Sequence, residues 1–414
     1  MLDRFSLLSR LKLEGFQAEL FSVRFREYTV EWDRGLKSQS SEHEGYGLRV
    51  AKDGKVGFAS STVLNEELVK RAIESWKVSK VDNANVIPPG ESGGGVSLKM
   101  FDFDSAVDQV KEAVKRLIDL PQWVVLEKAS ASIYSGMVEV ASTEGSDKSS
   151  DFTMSIASVS GSPNSDDAIT AFSYKSLRTL EPITSDAVKD EFLAKLEIVK
   201  QRTELKNPPD IVTLTPTAVE ELLVPLLRHA VSTEAVYRGN SPLKLNDVFS
   251  EKLTIADNPH ISEAPGSRNF DGEGLPSKVN EIIRSGTFVK SLNTYYWALK
   301  ANTEPTHSAS RTYSTQPVTG FSTLEVKVKE VGEEEGLVID SVRGVHTSDF
   351  SAGTFSVSVG LAWTPKEEKA VKGLNLSGDL RGLLKGVIAE AGEEEVRFTV
   401  KSKSLVVKGL KVIL

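Results

Sequence analysis

The chain has 414 residues, of which 39% are hydrophobic and 26% charged, values typical of a globular protein with more than one core. Its formal net charge of −8 disfavours nucleic acid as the main partner, and the absence of cysteine excludes disulfides, thiol nucleophiles and thiolate zinc sites. No apolar run reaches about 18 residues and the first turns are charged, so the sequence predicts a cytoplasmic protein without a membrane span.

The first half alternates between helical and strand patterns. The Asp53-Gly54 pair is a favoured hairpin turn, and Asn65 is a candidate helix cap. Short strands are expected over 123–177, and the glycine-rich segment 82–97 is expected to be an irregular linker. The other predicted elements are helices over 2–14, 65–76, 105–120 and 186–201, strands over 18–25 and 28–32, and a hairpin over 47–59.

Asn207-Pro208-Pro209 breaks the chain and predicts a boundary between domains at 1–205 and 206–414. A strand over 211–214 precedes a helix that begins at Thr215 or Thr217, with Thr217 and Glu220 as a capping box. Strands and turns are predicted from 245 to 363, followed by a helix over 374–391 and strands over 396–400 and 404–412.

Residues 266–274 form the most distinctive segment, with three glycines and two acids in nine positions. This composition predicts a tight polar loop. Residues 277–290 then predict a strand, a Ser285-Gly286 turn and a second strand.

These residues resemble the TldD/PmbA (TldD/TldE) family of zinc-peptidase assemblies. Asp379 departs from the family pattern, which usually has asparagine there. The matching segments, in the family's order, are 47–50, 235–239, 266–274, 282–286, 349–353 and 376–380. The resemblance implies an α+β fold, with an N-terminal α/β domain followed by a β-rich C-terminal domain. It also implies a heteromeric pairing, in which one subunit type carries zinc on a His-Glu-x-x-x-His helix and the PmbA/TldE type does not.

The resemblance places the zinc motif on the helix after Thr217. There the first ligand position holds Val224, the base position holds Pro225, and the second ligand position keeps His229. One imidazole cannot hold a catalytic zinc ion, so we expect no metal in this chain. We expect instead a packing helix, in which Pro225 causes a kink or marks an irregular turn.

Several residues remain as candidates for contact with a peptide in the chamber that the resemblance implies. Asp271 and Glu273 are either an acid–base pair or caps for backbone N–H groups of the loop. Serine catalysis through Ser267 or Ser351 is disfavoured because no base lies nearby in the sequence. The candidate contact residues are Gly266, Ser267, Phe270, Asp271, Glu273, Gly274, Asp349 and Ser351.

Three functions stay open on the sequence. The first is a zinc-less subunit of a heteromeric metallopeptidase acting on small or unfolded peptides, with zinc in a TldD-type partner. The second is a stand-alone interaction protein or homodimer. The third is a peptidase with an unrecognised site.

Overall fold

The computed structural model describes residues 3–165 and 168–414, which are about 23% helix and 40% strand. The architecture is a mixed α/β fold, and the fold class expected from the sequence is confirmed. In the part of the chain that is described, no helix is both long and apolar enough to cross a membrane.

The described residues before 201 build one antiparallel six-stranded sheet, in the order β3-β2-β1-β4-β5-β6. Its strands are β1 (Gln17–Trp32), β2 (Leu36–Lys52), β3 (Lys55–Ser61), β4 (Val124–Ser142), β5 (Asp147–Pro163) and β6 (Ala171–Leu177). Its helices are α1 (Arg4–Leu13), α2 (Glu66–Val78), α3 (Phe103–Ile118), α4 (Glu181–Thr184) and α5 (Ala187–Lys200). The expected pair of strands at 18–32 is one continuous strand, and the strands over 123–177 are long rather than short.

The described residues after 210 build a twelve-stranded mixed sheet, whose main path is β10-β9-β8-β13-β19-β7-β14-β15-β17-β20. The strands before residue 320 are β7 (Ile211–Leu214), β8 (Leu253–Asp257), β9 (Asn280–Arg284), β10 (Thr287–Phe288) and the separate hairpin β11 (Ala309–Ser310) and β12 (Val318–Thr319). The later strands are β13 (Leu324–Val328), β14 (Leu337–Arg343), β15 (Thr354–Thr364), β16 (Lys369–Ala370), β17 (Asn375–Asp379), β18 (Val387–Val396), β19 (Val400–Lys408) and β20 (Lys411–Ile413).

Short helices cover this second sheet. They are α6 (Pro216–Ala218), a π turn (Val219–Leu223), α7 (Val224–Ala230), α8 (Thr233–Tyr237), α9 (Tyr295–Ala301), a 3-10 turn (Val345–Thr347) and α10 (Leu380–Gly386). Thr215 caps α6 by accepting a hydrogen bond from the N–H of Ala218, so the predicted capping box at Thr217 is wrong.

The predicted helix over 374–391 is also wrong. Only α10 is helical there, beginning after the N-cap Asp379, whose carboxylate accepts from the N–H of Gly382 at 2.8 Å. The flanking residues are the strands β17 and β18, in which burial alternates with a period of two. The pattern resembled one longer helix because buried apolar residues recur at intervals of three or four from the end of β17 through α10 to the start of β18, at Leu376, Leu380, Leu383, Leu384 and Val387. The predicted strand over 396–400 is a turn between β18 and β19, and Gly409 divides the strand expected over 404–412.

The two sheets share part of one hydrophobic core. Leu361 and Ala370 belong to the second sheet but pack in the cluster that α3 and α5 form against the first sheet. A separate, larger cluster fills the second sheet beneath α6, α7 and α10. The domain boundary near residue 205 stays a prediction.

Candidate functional site

Residues 266–274, which we call the signature loop, lie between the two sheets. A Cβ on Gly266 would lie 1.8 Å from the carbonyl oxygen of Ser322, so only glycine fits against the second sheet there. Gly274 has φ of +77°, and a Cβ there would lie 2.5 Å from the Ser146 hydroxyl, at the β4–β5 turn of the first sheet. The two glycines therefore allow the loop to approach both sheets closely.

Asp271 holds the signature loop in shape. Its carboxylate accepts hydrogen bonds from the backbone N–H groups of Glu273 (2.9 Å), Leu275 (3.0 Å) and Ala309 (3.0 Å). Burial raises the pKa of Asp271, against the effect of Arg268 and of these three bonds. Since both oxygens are engaged, the interpretation as a cap of backbone N–H groups is confirmed for Asp271.

Glu273 belongs to a buried ionic network that joins the loop to the first sheet. Arg49 Nη2 lies 2.8 Å from Glu19 and 3.1 Å from Glu273, and Arg311 Nη1 lies 2.5 Å from Glu19. The second oxygen of Glu273 accepts from the N–H of Tyr295 at 2.7 Å. The network brings together two of the segments that resemble the family, 47–50 and 266–274.

Burial and neighbouring charge oppose one another in this network. Burial raises the pKa of Glu273 to about 7, although Arg49 acts to lower it. Burial alone would also raise the pKa of Glu19, but Arg49 and Arg311 outweigh it and lower that pKa. The network is thus a set of ion pairs with little access to water, in which Glu273 is the group most easily protonated.

Glu19 and Arg311 were not among the candidates from the sequence. Glu19 stands between Ala18 and Leu20 in β1 and is fully buried with them. A charged residue inside an otherwise apolar strand is the signal that could have found it, since a buried charge requires a partner. Arg311 lies in an irregular segment whose sequence carries no such signal.

The remaining loop candidates are also buried. Ser267 donates its hydroxyl hydrogen to the carbonyl oxygen of Ile261 at 2.5 Å, and it is 3% exposed. Phe270 packs with Phe21 of β1 and Val140 of β4. Both side chains therefore hold the loop in place.

The helix expected to carry the zinc motif is a packing element. Pro225 has no N–H to offer the carbonyl of Glu221, and the π turn Val219–Leu223 lies immediately before it. The predicted irregularity at Pro225 is therefore confirmed. Val224 is buried, while His229 is half-buried with Nε2 at 2.9 Å from the carbonyl oxygen of Asn240.

Asp349 and Ser351 lie in a second group with His229, which also contains the segments 235–239 and 376–380. The Phe350 ring centroid lies 6.3 Å from that of His229. Asp349 and Ser351 are exposed, and Asp349 accepts hydrogen bonds from the N–H groups of Ser351 and Ala352 at 3.0 and 2.9 Å. The candidates from the sequence thus divide into a buried group around the signature loop and a more exposed group around His229.

Helix α9 connects the two groups, and it was not predicted. The backbone N–H of its first residue, Tyr295, donates to Glu273. The ring of Trp297 lies 6.0 Å from that of Tyr237 at the end of α8, with the ring planes tilted by 53°. The Tyr296 hydroxyl donates a hydrogen bond to Asp82 at 3.1 Å. This bond connects α9 to the irregular segment after α2.

A second ionic network crosses between the sheets away from the loop. Lys195 of α5 lies 2.8 Å from Glu191 and 2.9 Å from Asp340 of β14. Near it, Glu221 in the π turn accepts from the N–H of Val342 at 2.7 Å. Burial raises the pKa of Glu221 to about 7, with Asp340 acting in the same direction.

The residues at the zinc position do not fit a zinc ion. Val224 and Pro225 carry no donor atom, and the His229 imidazole is engaged with a backbone carbonyl. Over residues 3–165 and 168–414, no three His, Asp or Glu side chains are grouped as a metal would need.

Comparison with protein families finds two regions of the chain that match the same family. Residues 211–414 match the PmbA/TldA metallopeptidase C-terminal domain, and residues 18–75 match the PmbA/TldA metallopeptidase domain 1. The chain belongs to the PmbA/TldD family. In this chain, the ion pair between Arg49 and Glu273 joins the two matched regions through the signature loop.

Three known proteins are similar to this chain over most of their length. An uncharacterized protein of Methanocaldococcus jannaschii is 27% identical, with 96% of each chain covered. Metalloprotease PmbA of Escherichia coli O157:H7 is 23% identical over 88% of this chain and 85% of its own. The crystal structure of TldE from Thermococcus kodakarensis has the same fold, with a TM-score of 0.86, 18% identity and 99% of both chains covered.

Proposed function

We propose that this chain is the zinc-less subunit of a TldD/TldE-type heteromeric metallopeptidase that degrades or processes small or unfolded peptides. The observation that carries the proposal is the α7 helix. Val224 and Pro225 replace a ligand and the general base, and the helix packs over the second sheet. A catalytic zinc site needs about three protein ligands and an open position, so the zinc would be supplied by a TldD-type partner.

An open sheet edge supports association with another chain. β3 pairs with β2 only from Tyr46 to Lys52, so within the described residues the outer side of 36–45 has no partner strand. Eight of the nine residues from 36 to 44 are exposed. Unpaired backbone groups along such an edge can accept a strand from another subunit or an extended peptide.

The test compares hydrolysis of an unstructured peptide by the pure chain, by a TldD-type subunit and by their mixture, each with and without a chelator. We expect no turnover by the chain alone, less than one tenth of a zinc ion per chain by elemental mass spectrometry, and chelator-sensitive turnover by the mixture that exceeds that of the TldD-type subunit alone. Chelator-sensitive turnover by the pure chain would refute the proposal. Chelator-resistant turnover would favour a peptidase with a different site.

A homodimer is the second candidate, and the same open edge of β2 favours it. Two copies can pair antiparallel along 36–45 about a two-fold axis, so that each copy supplies the strand that the other lacks. Light scattering of the isolated chain distinguishes this dimer from a monomer that associates only with the TldD-type subunit.

A further inference from the structure

A cavity of about 320 Å³ lies between the signature loop and the strands β1, β4 and β5. Its apolar wall includes Phe21, Val138 and Phe152. Three arginines, Arg178, Arg268 and Arg311, line the same cavity. A volume near 300 Å³ is at the lower end of that of small-molecule sites, which corresponds to a ligand of about one amino-acid residue.

The side chain of Arg311 is fully buried and has spare donors. Nη1 donates to Glu19, but Nε and Nη2 have no hydrogen-bond partner among the described residues. Arg268 donates from Nη1 to the carbonyl oxygen of Ala309 at 2.9 Å, while its buried Nε likewise has no partner in the described part of the chain. An unsatisfied buried donor destabilises the fold, more so when it is charged, so a bound acceptor would relieve this cost.

Arg178 is a buried cation without a counter-charge. It is 3% exposed and donates to the carbonyl oxygens of Ser267 (3.2 Å), Asp151 (3.2 Å) and Lys99 (3.4 Å). In the described ranges, no neighbouring carboxylate contributes to the shifted pKa of its guanidinium. Burial lowers the pKa of Arg178 to about 10, as expected for a cation that is not neutralised.

Carboxylates balance only part of the charge of these arginines. Asp271 is the carboxylate in the lining; its oxygens are occupied by three backbone N–H groups, and Arg268 acts to lower its pKa. Arg311 is paired with Glu19, so Arg178 is the cation of the lining without a carboxylate partner among the described residues, and it lies beside aromatic surface. This combination suits an anion that has an apolar group attached, and suits inorganic phosphate poorly.

We propose that this cavity binds the C-terminal carboxylate of a peptide whose last side chain is apolar, a substrate class that rests on the proposed peptidase function. The planar guanidinium groups match the geometry of a carboxylate, and Phe21 and Phe152 would contact the terminal side chain. The chain would then hold the end of a peptide while a partner subunit cleaves it.

The test is isothermal titration calorimetry on the full isolated chain, with acetyl-Gly-Gly-Phe as the free acid and as the C-terminal amide. We expect the acid to bind at least about tenfold more tightly than the amide, because hydrogen bonds to a charged group contribute about 1.5–3 kcal/mol. Equal binding of both peptides, or binding of neither, would overturn the proposal. Acetylphenylalanine should bind within a few-fold of the peptide acid, because the cavity accommodates about one residue. Inorganic phosphate binding as tightly as the peptide acid would overturn the assignment.

Two variants locate the site. Ser150→Phe places a ring into the cavity from a half-buried position and should abolish binding of the acid without removing any arginine. Arg178→Gln should lower the affinity for the peptide acid at least about tenfold and leave the affinity for the peptide amide unchanged. Arg26→Gln, on an exposed ion pair with Asp104, is the matched control and should change neither affinity.

This test and the test of the proposed function can fail independently, because binding is measured without a partner subunit. Failure of the peptide to bind leaves the proposed subunit role standing, and failure of the mixed-subunit assay leaves the binding result standing.

Discussion

The buried network around Arg49 yields a stability prediction that can be tested quantitatively. Arg49→Met removes the cation that contacts both Glu19 and Glu273, while Arg311 still pairs with Glu19. The side chains of Arg49, Glu19 and Glu273 are 7%, 0% and 0% exposed, so the charges left behind have little access to water. Breaking one partner of such a buried pair costs about 3–5 kcal/mol, and we expect a loss of that size in the free energy of unfolding.

Urea denaturation followed by circular dichroism measures this loss, and Arg10→Met provides the matched control. Arg10 pairs with Glu66 on the surface, where the side chains are 40% and 65% exposed, and its removal should cost at most about 1 kcal/mol. Adding Glu273→Gln to Arg49→Met should restore more than half of the loss, since the buried negative charge is then gone. If Arg49→Met lowers the free energy of unfolding by no more than Arg10→Met does, the network does not hold the loop to the first sheet.

The pH dependence of the same variant gives a second check. Arg49 acts to lower the pKa of Glu273, so its removal raises a pKa that already stands at about 7. A carboxyl group whose pKa is raised by folding favours the folded state while it is protonated, and this contribution is lost as the pH rises through the folded pKa. The loss in the free energy of unfolding caused by Arg49→Met should therefore be smaller at pH 6 than at pH 8.

The remaining predictions concern four separate positions. His229→Ala should leave peptide hydrolysis by the assembled complex within a few-fold, because its imidazole is engaged with the Asn240 carbonyl and the Phe350 ring. Complete loss of activity in an assembled complex would contradict this. Glu221→Gln should raise the free energy of unfolding by up to about 3 kcal/mol at pH 8 and by much less at pH 5. The reason is the raised pKa of Glu221, which makes its charged form unfavourable in the fold. Equal effects at both pH values in urea denaturation would contradict this prediction. Gly274→Ala should lower the thermal midpoint, since the residue has a positive φ and a crowded Cβ position. Ser40→Pro should weaken subunit association in sedimentation experiments without changing the melting temperature, because it interrupts the open edge of β2.

Local signals in the sequence predicted the elements with specific turn or capping chemistry. Asp53-Gly54 has the positive φ values of a hairpin turn (52° and 71°), and Asn65 caps α2 by accepting from the N–H of Leu68. The sequence failed where tertiary packing decides, as in residues 374–391, whose apolar spacing suits a helix although most of them pair with neighbouring strands.

The candidate site shows the same contrast between features set by local sequence and features set by tertiary packing. The signature loop could be located from its composition, and the capping role of Asp271 could be stated in advance. The partners of Glu273 could not, because Glu19, Arg49 and Arg311 come from distant parts of the chain. Pairing of that kind depends on how the sheets meet, which periodicity along one segment does not encode.

The close fit of Gly266 against the Ser322 carbonyl and of Gly274 against the Ser146 hydroxyl has a consequence for how related chains should be sorted. A subunit that joins its two sheets in this way needs those glycines whether or not it performs hydrolysis. The loop is thus a marker of architecture, and under the proposed function the six positions from 224 to 229 are the marker of chemistry. Sorting relatives by those six positions should separate metal-bearing subunits from their companions where similarity over the whole chain cannot.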